Sequence, residues 1–195
     1  MALGALIVSR GSVMSKVLVP LVEGFEDIEA VTVIDVLRRG GVEVVTASVA
    51  GTPFVKSSHG IQMSADAPFD KAAEDKYDAM ILPGGPGTDR LKVPAVIERL
   101  RRQKEEGRLI CAICAAPTVL VEAGVLDPDQ HVTCYPTCVL ELDRPSAGVP
   151  VVGDGNVITG QAPGAAMLFS LVVLQALKGE ALAQKVARGM VTDAL

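Results

Sequence analysis

The segment Leu109–Leu120, LICAICAAPTVL, is the part of the chain best suited to hold a nucleophile. A short apolar run, Leu109–Ile113, reads as a strand and passes directly into a helical pattern, Ala116–Ala123, with Cys114 at the turn. Pro117 falls in the first helical turn, where its fixed φ is favourable. A thiol at such a turn faces unpaired N–H groups and the positive end of a helix, which stabilise an anion by roughly 0.3–2 kcal/mol and lower the thiol pKa. The expected geometry is the sharp strand-to-helix elbow that presents a nucleophile. Cys111 makes a C-x-x-C with Cys114, but three residues along a strand span roughly 10 Å, beyond disulfide reach. Cys111 is therefore expected in the core.

Two other turns could serve this thiol. In Glu23–Ala30, EGFEDIEA, Glu26 and Asp27 suit an acidic helix start. Glu29 lies one turn further in, among Ile28, Ala30 and Val31. A buried carboxyl there has a raised pKa, and when protonated it can donate to a thiolate or shuttle a proton. In Leu82–Asp89, LPGGPGTD, Gly84 and Gly85 let backbone N–H groups approach a ligand and form an oxyanion hole. No Lys-Ser or Lys-Thr follows, so this is a poor phosphate loop. The two histidines are placed elsewhere: His131 at the start of a surface strand, His59 in the turn Ser57–Gly60, neither as a triad base. No His/Cys/Asp/Glu spacing suggests a metal site, and no cofactor is expected. Cys134 is expected to end a strand beside Leu109–Ile113, close enough to modulate Cys114. Cys138 is expected to be a bystander.

These turns need a rigid frame. Strands are expected at Lys16–Val22, Val42–Val49, Ala79–Leu82 and Leu109–Ile113. A hairpin is expected over Val149–Val152 and Asn156–Thr159, around Asp154-Gly155. Between and after them, helices are expected at Glu26–Arg39, Pro94–Glu106, Ala116–Ala123, Ala165–Leu177 and Ala181–Met190. The chain has 195 residues, 49% of them hydrophobic, only 3% aromatic and none Trp, which suits buried parallel strands built from Val, Leu, Ile and Ala. The alternation predicts an α/β, doubly wound, mostly parallel sheet with helices on both faces and a site at the carboxyl ends of the strands. One domain over residues 14–195 is expected, preceded by an apolar extension, 1–13, read as disordered and left outside the fold. A net charge of −5 gives no support to nucleic-acid binding, and the extension is too short to span a bilayer. Four cysteines are too few for a disulfide scaffold of this size, which points to reduced thiols and a cytoplasmic setting. The extension leaves organellar targeting open.

Together EGFEDIEA, LPGGPGTD, LICAICAAPTVL, VTCYPTC, GDGNVITG and QAPGA, in this order from about Lys16 to Val191, resemble the ThiJ/PfpI superfamily. The likeness is greatest to its branch of parkinsonism-associated deglycases and their bacterial and plant relatives. The resemblance implies a flavodoxin-like sandwich and a homodimer, with the Glu26–Arg39 helix near the interface. It implies Cys114 as nucleophile, Glu29 as its hydrogen-bonding acid and the Gly84, Gly85 and Ala115 N–H groups as an anion pocket, with Tyr135 and Pro163 completing the substrate pocket. It also implies glutathione-independent glyoxalase or deglycase chemistry on methylglyoxal and its amine or thiol adducts, and, as an alternative, a redox-sensing chaperone that uses oxidation of the same cysteine. There are departures from the pattern. Members with a Cys-His pair carry His where this chain has Tyr135. Ala115 stands where peptidase-like members carry His, and the His-Pro-Glu of the amidotransferase cousins is absent. Gln161-Ala162 replaces the common Arg-Gly before Pro163-Gly164.

Overall fold

Alternate residues of a strand face opposite ways, and in the central strands of this chain both sets are apolar. On the strand Lys16–Leu21, Val17, Val19 and Leu21 join one core and Leu18 the other. On Leu109–Ile113, Cys111 and Ile113 face the first core, and Ile110 and Ala112 the second. Such strands are stable only when both faces are covered, and the helices between them supply the cover.

The computed structural model describes residues 2–6, 15–193 and 195, the first five by backbone alone. In chain order its elements are β1 (Ala2–Leu6), β2 (Lys16–Leu21), α1 (Asp27–Arg39), β3 (Glu43–Ser48), β4 (Phe54–Lys56), β5 (Gln62–Ser64), β6 (Ala67–Pro68) and α2 (Phe69–Ala72). They continue with β7 (Ala79–Leu82), α3 (Pro94–Glu105), β8 (Leu109–Ile113), α4 (Pro117–Ala123), β9 (Val151–Gly155), β10 (Val157–Gly160), α5 (Ala166–Lys178) and α6 (Glu180–Gly189). The main sheet runs β1-β9-β10-β8-β7-β2-β3-β6. All its pairings are parallel except the β9–β10 hairpin. One core lies between the sheet and α1, α5 and α6, the other between the sheet and α2, α3 and α4. This is the doubly wound, flavodoxin-like arrangement expected, and β8 stands near its centre.

Three features depart from the sequence reading. Ala2–Leu6, expected within a disordered extension, is instead a strand running parallel to β9, and it caps what would otherwise be a bare sheet edge. The rest of that extension, Met1 and residues 7–14, lies outside the described residues. The segment 131–135 is not a strand beside β8, because β10 takes that place. It is tied down by a single bridge, Val132 to Ser146, and by Thr133 N–H donating to Thr159 Oγ1 at 2.9 Å, and then enters the short 3-10 helix Pro136–Glu141. The third is a small separate hairpin, β4–β5, not foreseen at all, whose turn brings Ser57, Ser58 and His59 to the start of α1. Its Lys56 carbonyl accepts from Gly24 N–H, and Phe25 carbonyl accepts from Ser58 N–H, each at 2.8 Å. No helix among the described residues is long and apolar enough to cross a membrane.

Candidate active site

Strand β8 ends at Ile113, and α4 begins only at Pro117. The chain must turn sharply between them, and Cys114 absorbs the turn with φ of 65°, a left-handed conformation rare for any residue with a Cβ. Such a residue costs about 1–3 kcal/mol and persists where its surroundings hold it. Here the Cys114 N–H donates to the Gly160 carbonyl at 3.0 Å, and its carbonyl accepts from Tyr135 N–H at 2.7 Å. The neighbouring loop after β7 presses against the turn. A Cβ on Gly84 would lie 2.8 Å from both Cys114 Cβ and the Ile113 carbonyl oxygen, so only glycine fits.

Glu29 comes to the same place from the first turn of α1 and is 1% exposed. Its N–H caps the helix by donating to Glu26 Oε2 at 2.8 Å, and Glu26 N–H donates to the Gly84 carbonyl at 2.8 Å. Glu29 Oε2 accepts from Gly84 N–H at 2.8 Å, whereas Oε1 is buried without a well-formed hydrogen bond. The carboxyl lies against the Cys114 thiol, and the two groups titrate together. Burial raises the Glu29 pKa to about 7, against the Gly84 N–H and the thiol, which favour the anion; the Glu26 charge adds to the rise.

The thiol is also pushed up, first by burial and then by the Glu29 charge, while the N–H groups of Ala115 and Gly85 pull it down. This corrects the expectation that the turn alone would lower its pKa. Cys114 is only 7% exposed, and α4 has seven residues, too little helix to outweigh desolvation. Thiolate is therefore disfavoured while Glu29 is ionised, because the Glu29 charge raises the thiol.

The thiol opens into a cavity of about 470 Å³ whose lining includes Gly85, Pro86, Ala115, Tyr135 and Pro163, and also Glu26, Ser58, His59, Thr137 and Cys138. Gly85, Ala115, Tyr135 and Pro163 are thus brought together as expected. Gly84 is not on the wall: its N–H is taken by Glu29, so its part is to admit the elbow and hold the acid. The anion-facing N–H groups are those of Gly85 and Ala115. Cys134 is also displaced from its expected position. It packs with Val132, Leu142 and Cys138, its thiol donates to the Tyr135 carbonyl at 3.3 Å, and it does not line the cavity. Cys138, expected as a bystander, does line it. All four cysteines are free.

His59 and Asp27 are the residues the sequence did not bring to the site. Asp27 is 8% exposed and accepts from the Ser57 and Ser58 hydroxyls, the His59 N–H and His59 Nδ1, the last at 2.8 Å. Burial opposes its ionisation, but these donors prevail and hold its pKa down to about 2. Ligand atoms of Glu26, Asp27 and His59 lie within 4.8 Å of one another and could hold a cation. Asp27 is already saturated by donors, however, and an ion there would displace the imidazole N–H.

A model of the DJ-1/PfpI family matches residues 15–176. The chain belongs to the DJ-1/PfpI family. It is 40% identical over 183 residues to Protein dj-1beta of Drosophila melanogaster, covering 91% of this chain and 97% of the fly protein. It is 36% identical over 164 residues to the glutathione-independent glyoxalase DJR-1.2 of Caenorhabditis elegans, covering 80% and 85%. The structure of oxidized Toxoplasma gondii DJ-1 superposes with a TM-score of 0.88 at 34% identity, over 92% of this chain and 99% of that one.

Proposed function

We propose that this protein is a cysteine-dependent, glutathione-independent glyoxalase and deglycase acting on methylglyoxal and its amine or thiol adducts. The observation that carries the reading is the buried Glu29 carboxyl against Cys114, with one oxygen tied to Gly84 and the other left for the shared proton. Thiolate adds to the aldehyde carbon, and the N–H groups of Gly85 and Ala115 face the developing oxyanion. Glu29 gives the shared proton to that oxyanion, and its carboxylate then moves the proton from the former aldehyde carbon to the neighbouring one, through an enediol, which turns the hemithioacetal into a lactoyl thioester. Water cleaves the thioester to lactate and free thiol. Reactant and product differ by one water, so no outside oxidant or reductant is needed. The similarity to a named glyoxalase supports the same reading.

The test is methylglyoxal consumption with D- and L-lactate measured directly, in buffer free of Tris and thiols, by wild type and Cys114→Ser. The expected result is lactate from wild type alone. Equal consumption by both proteins would remove the reading.

A second reading uses the same sulfur as an oxidant sensor that regulates a chaperone surface. The Gly85 and Ala115 N–H groups and a protonated Glu29 support it, because they would hold sulfinate oxygens as well as a substrate oxyanion. Peptide mass spectrometry after peroxide should then find Cys114 oxidised before the other three cysteines. A homodimer through α1 belongs to the same proposal. Ile28 and Val31 are 55% and 45% exposed on the face of α1 turned from the core, an apolar pair suited to a second copy. A monomer by light scattering at micromolar concentration would count against it.

A further inference from the structure

Thioester hydrolysis needs a base that water can reach, and Glu29 does not meet that need. It is 1% exposed and is not among the residues that line the cavity. Tyr135 lines the same cavity, but a phenol is a poor base at neutral pH. The described residues nevertheless include an imidazole on this cavity. His59 lines it from the β4–β5 turn, together with Glu26 and Ser58.

We infer that His59, held by Asp27, is the general base that activates water for release of the acyl group from Cys114. This assignment rests on the glyoxalase reading. Asp27 is ionised and can only accept, so at 2.8 Å the ring's Nδ1 must carry the hydrogen. That fixes the neutral ring in the tautomer whose Nε2 has its lone pair free, and Nε2 has no hydrogen bond among the described residues. The His59 side chain is 74% exposed, so water reaches it, whereas the Asp27 side chain is 11% exposed and fixed by Ser57 and Ser58. Asp27 is a positioning residue and His59 a catalytic one. In the step assigned to them, Nε2 takes a proton from water as the water oxygen bonds to the thioester carbonyl carbon. The carbon–sulfur bond then breaks, and the proton passes to the departing sulfur, leaving lactate and Cys114 thiol. The chain thus uses two bases at one site, a buried one for the carbon-bound proton and an exposed one for water. The other titratable groups lining this cavity are Glu26, which caps α1, and Cys114, Tyr135 and Cys138.

The experiment compares wild type, His59→Gln and Asp27→Asn as full chains, with three readouts. In His59→Gln, kcat for lactate should fall about 10²-fold, in the range of general-base contributions. A Cys114-linked acyl group should build up, which neutral hydroxylamine, a cleaver of thioesters, releases as the hydroxamate. Iodoacetamide labelling of Cys114 should match wild type, because the Cys114–Glu29 pair is untouched. Asp27→Asn should fall between the two, since the amide no longer enforces the tautomer. Wild-type kcat in His59→Gln would overturn the assignment and leave the glyoxalase reading standing, as would loss of activity without an acyl intermediate. No lactate from the wild type would remove both.

Discussion

Asp27 and Glu29 stand two residues apart in the first turn of one helix, both buried, and their acidities are driven in opposite directions. Asp27 goes down to about 2 and Glu29 up to about 7. Burial opposes the charge of both, so burial is not the difference. Asp27 receives four donors from the β4–β5 turn, Glu29 a single N–H, with one oxygen left over. The number of donors decides which carboxyl remains an ion and which becomes a proton carrier. One helix turn therefore supplies a fixed charge beside His59 and a titrating acid against the Cys114 thiol.

Four experiments test this contrast. The largest effect is expected from Glu29→Leu, which removes the proton carrier but leaves the Asp27 cluster intact. Lactate formation should drop by about 10²-fold or more, as for loss of a general acid-base group. Glu29 gives up its proton through about pH 7, and its charge then holds the Cys114 thiol up, so iodoacetamide labelling of Cys114 in wild type should stay low above pH 7. In Glu29→Leu that charge is absent and labelling should begin at lower pH than in wild type, and an unmoved midpoint would show that the pair is not coupled.

The sign of the next effect follows from linkage. Glu29 binds its proton more tightly folded than unfolded, so its contribution favours folding at acid pH and is lost as pH rises from about 4.5 to about 7. Glu29→Gln keeps an acceptor for Gly84 and carries no charge. Above pH 7 it should be more stable than wild type, by up to an amount on the order of 3 kcal/mol at 1.36 kcal/mol per pKa unit, with the gap closing by pH 5 in urea titrations. Asp27 behaves oppositely. Its contribution is present above the ordinary carboxylate range and is lost as pH falls through about 2. Asp27→Asn should cost about 1–2 kcal/mol near neutrality, reduced by water at the open rim, and little in strong acid. Ser58→Ala, which removes one of the four donors, should cost only about 1 kcal/mol.

The legible parts of the chain were those whose information is local. The central strands, the start of α1 with its acids and the elbow at Cys114 each announce themselves within about ten residues, and the structure places them within a residue or two. Glu29 could be singled out because a carboxyl among Ile28, Ala30 and Val31 is locally out of place. What could not be read is which donor meets which acceptor across the chain. Gly84 looked like an oxyanion donor because nothing near it says that Glu29, 55 residues earlier, takes its N–H. His59 looked like an ordinary turn residue because its importance comes from Asp27, 32 residues away. Cys134 was misplaced because Thr133 and Val132 bond to residues beyond position 140, which draws the segment off the sheet.

The clamp on the elbow also has a history within each molecule. The Cys114 amide is held by the carbonyl of Gly160, and the strand that carries Gly160 forms on the far side of β8. During synthesis the thiol leaves the ribosome well before that strand does. At roughly 5–20 residues per second, the nascent chain spends seconds with the Cys114 sulfur attached to a backbone that β10 has not yet clamped. Alkylation or oxidation in that interval would meet none of the selectivity of the finished pocket, so the protection of Cys114 begins only when Gly160 docks.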